Sequence, residues 1–321
     1  MSMSDGPSSA ETGSSGPTVA PEPARPTGFP LFFLGARPRT LPAAIVPVAV
    51  GTAVAWWWRG AHHVEWWKGA LALVVSFSVQ IGTNYANDYS DGARGTDKVR
   101  VGPVRLVASG LASPKAVATA SAISFGVAGV AGLVLAAYTA WWLVAVGAAC
   151  IAAGWLYTGG PRPYGYMGLG ELFVLVFFGL VATCGSAYVE GVRIRTTGFV
   201  VALLASIAVG LLAAALLQAN NIRDIAGDTE AGKRTLAVRL GRRGAGFLYV
   251  GTLAMAVGFV VAVAAYHRPY AAIALVAAPL ALCPCALALG NAEGRDLLPM
   301  LAATARLQLC VGALLALGIL I

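Results

Sequence analysis

The chain has 321 residues, of which 58% are hydrophobic and only 11% charged, and its mean hydropathy is +0.74. A soluble globular domain carries roughly 25% charged residues, so that class is excluded. The formal net charge of +8 follows from how Lys and Arg are sorted across a membrane, as shown below, and needs no nucleic-acid partner.

Residues 1–30 are rich in Ser, Gly, Pro, Thr and Glu and lack the apolar core of a signal peptide. Such a stretch buries too little surface to offset its ordering entropy, which predicts a disordered tail ahead of a single membrane domain over 31–321. Charge-free runs then cover 69–87, 116–161, 172–189, 196–222, 244–267 and 269–292. A spanning helix takes ~20 apolar residues, whereas a membrane β-barrel shows short alternating segments. Punctuation by Gly, Pro and charge therefore predicts an all-α, polytopic membrane bundle of about nine transmembrane helices. They fall near 41–58, 69–90, 116–137, 139–157, 169–189, 198–221, 246–266, 270–289 and 299–320. Trp56-Trp57-Trp58 closes the first span and Trp66-Trp67 precedes the second, as aromatic belts do at a bilayer interface.

The N-terminal segment and the loops after spans 2, 4, 6 and 8 hold 16 of the 22 basic residues. The opposite loops hold Arg59, Lys68, Arg193, Arg195 and Arg268. This bias places the N-terminus and those four loops in the cytoplasm, with the chain in the cytoplasmic membrane of the cell. Cys150, Cys184, Cys283, Cys285 and Cys310 all lie in apolar runs and read as small buried helix residues, with no disulfide framework.

Spans 2 and 6 each end in amides and carboxylates. The first cluster is Asn84, Asn87, Asp88 and Asp91, followed by Asp97; the second is Asn220, Asn221, Asp224 and Asp228. Both spans run inward, so both clusters reach the cytoplasmic face. Residues three and four apart share a helix face, which predicts Asn84, Asp88 and Asp91 on one face and Asn220, Asp224 and Asp228 on the other. Asp97, in the loop after Gly95, is close enough in sequence to fold back toward them.

Five carboxylates together repel strongly in apolar surroundings and need cations to hold them. Oxygen-only ligands select hard ions, and Mg²⁺ typically joins a few carboxylates to substrate phosphate oxygens. The clusters therefore read as a metal-diphosphate site. Arg94, Lys98, Arg100, Arg105, Arg223, Lys233 and Arg234 are candidates for the remaining phosphate oxygens. Solvated helix caps explain one aspartate at a helix end, but not two matched clusters on one side. A cation transporter would carry an acid deep within a span to pass the ion onward, and here the acids gather at one face.

These residues resemble the UbiA superfamily of intramembrane prenyltransferases, and within it the branch acting on 1,4-dihydroxy-2-naphthoate. The strings that carry the likeness are Arg37-Pro-Arg-Thr-Leu-Pro-Ala-Ala and Asn87-Asp-Tyr-Ser-Asp-Gly-Ala-Arg-Gly-Thr-Asp97. With them go Gly102-Pro-Val-Arg-Leu-Val-Ala-Ser-Gly110 and Tyr164-Gly-Tyr-Met-Gly-Leu-Gly-Glu171. Asn220-Asn-Ile-Arg-Asp-Ile-Ala-Gly-Asp228 and Gly232-Lys-Arg-Thr-Leu-Ala-Val-Arg-Leu-Gly241 complete it, over about residues 35–321.

The resemblance implies a nine-helix bundle open to the cytoplasm, using Mg²⁺. It implies transfer of a polyprenyl chain from polyprenyl diphosphate to an aromatic acceptor, 1,4-dihydroxy-2-naphthoate, with loss of CO₂ to give a demethylmenaquinol. Other acceptors in the superfamily are 4-hydroxybenzoate, haem and a glycerol lipid. By motif position it implies Asp88, Asp91, Asp224 and Asp228 as metal-diphosphate residues, Asp97 as a fifth, and Asn84, Asn87, Asn220 and Asn221 as polar supports. Arg37 and Arg39 read equally as ligands of the diphosphate or acceptor carboxylate and as positive-inside anchors. Lys233 and Arg234 read as phosphate ligands or as orientation signals. Tyr157 and Glu171 flank the loop after span 4 and read as walls of the acceptor site; a first-turn helix charge is the other reading of Glu171.

Overall fold

The structure, a computed structural model, describes residues 28–95 and 105–321. The expected tail up to residue 27 lies outside the described residues, as do Asp97, Lys98 and Arg100. Every one of the nine predicted segments is helical, and the chain is a multi-pass, all-α membrane protein. Among the described residues, six helices are long and apolar enough to cross a bilayer by themselves. A seventh crossing results if a pair bent by 58°, Phe29–Thr40 and Pro42–Arg59, counts as one span.

In chain order, a short helix α1 (Phe29–Gly35) precedes α2 (Pro42–Arg59) and α3 (Trp66–Arg94). Helix α1 starts within the segment expected to be disordered; its Leu31 packs with Tyr85, Leu106 and Val117 against the end of α3. Gly95, at φ 69°, ends α3 in the left-handed conformation open to glycine. Helix α4 (Pro114–Tyr138) begins with Pro114 in its first turn and the Ser113 hydroxyl accepting the Ala116 N–H at 3.2 Å. Helix α5 (Leu143–Leu156) has only 14 residues, about 21 Å at 1.5 Å per residue. It is shorter than the predicted 139–157 because Ala140–Trp142 form a turn.

The fifth segment is one continuous helical run, Gly170–Val189. A helical turn, α6 (Gly170–Val174), passes through a π-helical stretch (Leu175–Val181) into α7 (Ala182–Val189). Helix α8 (Thr197–Arg223) is capped by the Thr196 hydroxyl and continues, after a break at Asp224, into α9 (Ile225–Glu230). Helix α10 (Leu236–Ala265) is broken at Gly241, whose φ of 69° is not helical, so a short turn from Leu236 precedes the continuous helix that carries the predicted span from 246. Arg242, just past that break, donates its guanidinium to the Leu287, Ala288 and Ala292 carbonyls around the end of the following span. Beyond α10, Pro269–Ala281 winds as a 3₁₀ helix into α11 (Leu282–Leu289), and α12 (Leu298–Leu320) closes the bundle.

Helix α8 is the hub. The apolar stretch of α8 is 72% buried, against 22% for Pro269–Leu289 and 33% for α4, which face lipid. Around it pack α2, α10 and α12 through Val50, Val54, Ala205, Val209, Tyr249 and Leu315. Small residues allow the closest approaches: a Cβ on Gly210 would lie 2.9 Å from the Gly179 Cα and 2.7 Å from Leu175. All five cysteines are free, but none is fully buried as expected: Cys150, Cys184 and Cys285 are half-buried, and Cys283 and Cys310 are exposed. Lipid accepts a thiol there as readily as a core does.

At one end of the bundle Trp56 meets Trp66 (4.7 Å between ring centres), Trp67 meets Tyr138 (5.2 Å) and Trp142 meets Tyr188 (5.2 Å). The turns between α2 and α3, α4 and α5, and the end of α7 therefore share one aromatic-rich face. The acid-bearing ends of α3 and α8 lie at the other.

Candidate active site

Both acid clusters open onto one cavity of about 310 Å³. Helix α3 contributes one stripe to it, Gln80, Asn84, Asn87 and Asp91, at spacings of three and four. The end of α8 and helix α9 contribute Asn220, Asn221, Asp224 and Asp228 from the facing side. Arg37, Arg105 and Lys233 complete the polar mouth. Below it the wall turns apolar through Val48, Ala72, Val146, Val181 and Val189, toward the aromatic-rich end.

Asp91 is the most heavily held acid. It is 2% exposed and accepts the Tyr166 hydroxyl at 2.5 Å, with the Arg105 guanidinium at 3.3 Å and the Lys233 ammonium at 3.5 Å. The same ammonium stands 3.6 Å from Asp228 and over the Tyr166 ring at 4.7 Å. Asp224 receives a two-pronged contact from Arg223 at 2.7 and 2.8 Å. Asn87 accepts the Thr158 hydroxyl at 2.8 Å. Asn84 donates to the Ala36 carbonyl and the Thr40 hydroxyl, tying α3 to the segment before α2. Asn221 donates to Glu171 at 3.0 Å, and Asn220 bonds its own helix at Leu216.

Several expected residues do not line this cavity. Asp88 is 1% exposed, but its carboxylate accepts the Leu106 and Val107 backbone N–H groups at 2.7 and 3.2 Å. It is bound to the chain entering α4 and is absent from the cavity lining, so the expected lining by Asn84, Asp88 and Asp91 is corrected to Asn84, Asn87 and Asp91. Arg223 is spent on Asp224. Arg94 donates to the Thr158 and Gly160 carbonyls and pins the loop after α5. Arg39 and Arg234 are exposed. Glu171 lies behind the wall, one oxygen on Asn221 and the other buried without a hydrogen bond. Tyr157 does line the cavity, in an aromatic row with Tyr164 (5.5 Å) and Phe173, which stacks on Tyr164 at 3.9 Å.

Tyr166, Thr158 and Tyr164 were not foreseen as site residues. The signal was a charge-poor loop, Tyr157–Gly170, unusually dense in Tyr and Gly beside a polar mouth. Its Tyr166 carbonyl accepts the Arg234 N–H at 2.8 Å, so this loop is laced to the one after α9.

Among the described residues, no three acidic, imidazole or thiol groups come together to ligate one ion by themselves. The candidate ligands at the polar mouth are nonetheless carboxylate and amide oxygens. An arrangement of carboxylates drawn from two helices, interleaved with cations, suits a hard divalent ion that completes its shell with phosphate oxygens and water.

Known proteins are similar to this chain in sequence and in fold. The model of the UbiA prenyltransferase family matches residues 44–297. A 1,4-dihydroxy-2-naphthoate octaprenyltransferase of Mycobacterium tuberculosis is 50% identical over 290 residues, covering 90% of this chain and 96% of that protein. The enzyme of the same description from Escherichia coli is 37% identical over 294 residues, 88% and 92% of the two chains. Among solved structures, a UbiA homolog from Aeropyrum pernix K1 superposes with TM-score 0.63 at 17% identity, covering 86% of this chain and 96% of that one. A UbiA homolog from Archaeoglobus fulgidus bound to DMAPP and Mg²⁺ gives 0.59 at 15% identity, covering 88% and 98%. By sequence along most of its length, and by fold, the chain belongs to the UbiA prenyltransferase family.

Proposed function

We propose that the chain transfers a polyprenyl group from polyprenyl diphosphate to 1,4-dihydroxy-2-naphthoate, with loss of the ring carboxylate as CO₂, to make a demethylmenaquinol for menaquinone synthesis. The observation that carries this reading is the convergence of both acid clusters on a single cavity that is polar at its mouth and apolar below. The half-identical Mycobacterium relative, described as acting on that acceptor, supports the choice of substrate.

Asp91, Asp224 and Asp228, with Asp97 from the loop outside the described residues, would hold Mg²⁺. Bound there, the metal would stabilise the charge that develops on the diphosphate as the allylic C–O bond breaks. Arg37, Arg105 and Lys233 donate to phosphate oxygens, and Lys98 is a further candidate. Asn87, Asn220 and Asn221 orient the acids and the donor. Asp88 holds the Leu106–Val107 turn that carries Arg105 into place, and Asn84 anchors the strip carrying Arg37. The apolar lower wall takes the prenyl tail and keeps water from the allylic cation until the ring attacks. Tyr157, backed by Tyr164 and Phe173, offers the acceptor ring an aromatic wall, with Glu171 fixing Asn221 behind it.

In the membrane we assign nine crossings, with α5 and the Gly170–Val189 run each counted as one. The mouth then faces the cytoplasm, as the Lys and Arg bias requires. The test is turnover by purified membranes given Mg²⁺, a polyprenyl diphosphate and, in turn, 1,4-dihydroxy-2-naphthoate, 4-hydroxybenzoate, haem and a glycerol lipid. We expect product from the naphthoate alone, lost on chelation and restored by Mg²⁺. Turnover of another acceptor without the naphthoate would remove the assignment.

A further inference from the structure

Lys233 is placed unlike a simple phosphate ligand. It follows α9 in the loop to α10, is 8% exposed, and sends its ammonium to one acid of each cluster: Asp91 on α3 at 3.5 Å and Asp228 on α9 at 3.6 Å. Both separations exceed an ideal charge-assisted hydrogen bond of about 2.7–2.9 Å. The third partner is the face of Tyr166 at 4.7 Å. A compact, mobile point charge on a four-carbon stem is thus suspended between two carboxylates without being locked to either. Arg223, by contrast, is fixed on Asp224 by two short contacts.

We propose that Lys233 is a cation place-holder that makes metal and diphosphate binding interdependent, an inference that rests on the metal-diphosphate reading of this mouth. Without substrate the ammonium, alongside Arg105 on Asp91, offsets the charge of Asp91 and Asp228 and limits their repulsion in a buried site. A metal arriving alone must displace it and strand a positive charge in the mouth. A diphosphate arriving alone meets the carboxylates. When both arrive, the metal takes the carboxylates and the ammonium turns onto the phosphate oxygens, so every charge keeps a partner. No bond is made or broken in this exchange. Lys233 therefore acts as a positioning residue that suppresses metal binding until the prenyl donor is present.

The test is Mn²⁺ binding to the full-length protein in nanodiscs, with no substrate present, read from the free-ion electron paramagnetic resonance signal. Removing the competing ammonium in Lys233→Gln is expected to tighten Mn²⁺ binding about tenfold, while Lys233→Arg keeps it weak. In the presence of a thio-analogue of the prenyl diphosphate, the same Lys233→Gln protein is expected to lose most of the wild-type gain in Mn²⁺ affinity. Unchanged or weaker Mn²⁺ binding by substrate-free Lys233→Gln overturns the proposal. Asp91→Asn and Asp228→Asn separate the two levels. If they bind Mn²⁺ as the wild type does, the metal reading itself fails. If they lose it while Lys233→Gln changes nothing, only the place-holder fails. A melting temperature within a few degrees of wild type certifies each variant.

Discussion

Glu190 shows how far a single side chain can depart from its surroundings here. It is the first residue beyond the Gly170–Val189 span, fully buried, with one oxygen accepting the Thr52 hydroxyl at 2.7 Å and the other without a hydrogen bond. Gly69 makes room for it, since a Cβ there would sit 2.5 Å from that second oxygen. Burial pushes the carboxyl from 4.5 up to about 7, with the Thr52 bond opposing. The folded protein thus holds a proton between about pH 4.5 and 7 that the unfolded chain has released. Stability from this group is greatest below that window, falls as pH rises through it and is level above. The total is about 3 kcal/mol at most. We expect the wild-type melting temperature in detergent to fall between pH 5 and pH 8 by more than that of Glu190→Gln. Parallel curves would show that Glu190 is not the source.

At the scale of elements, α3 divides its labour by face. Its cavity face carries Asn84, Asn87 and Asp91, while the adjacent Asp88 clamps the turn that leads into α4. The two acids should therefore fail differently. Asp91→Asn is expected to cost at least about 100-fold in turnover with little change in melting temperature. Asp88→Asn exchanges an acceptor for a donor facing two backbone N–H groups and is expected to cost about 1–3 kcal/mol of stability. Paired assays of turnover and thermal unfolding decide it; an Asp88→Asn protein that is inactive yet as stable as wild type would return Asp88 to the chemistry. The π-helical stretch Leu175–Val181 belongs to the same scale. It swings Phe177, Phe178 and Val181 into the cavity wall while Gly179 and Gly210 bring the two backbones together. An uninterrupted apolar run gives no hint of such a turn, because its residues would suit an ordinary helix equally well.

For the whole molecule, the membrane sets what can be tested from outside. The aromatic clusters around Trp56, Trp67 and Trp142 and the acid mouth sit at opposite ends, so one orientation determines the side from which diphosphate and acceptor arrive. We expect a cysteine at His62 (His62→Cys), in a background with the five native cysteines replaced by Ala, to react in intact cells with an impermeant maleimide. One at Arg162 (Arg162→Cys) is expected to react only after permeabilisation; both positions are exposed. The reverse pattern would put the mouth outside and break the link to a cytoplasmic prenyl donor.

Composition and charge spacing alone determined that this chain is a helical membrane bundle with two acid clusters on one side. Apolar runs are local quantities, and a bilayer turns them directly into spans. Helix spacing likewise pointed Asp91 and Asp224 to a common mouth, whereas Asp228 reaches it on α9, beyond a break at Asp224 that interrupts the expected single face. Only the packed structure decided which carboxylate faces the cavity and which holds a turn. Asp88 and Asp91 lie three residues apart on one helix, and what distinguishes them is the distant chain that meets each. The same holds for Tyr166 and Lys233, which sit in loops whose course depends on helices far away in sequence. Partners of that kind are set by packing across the bundle, and no pattern along one segment contains them.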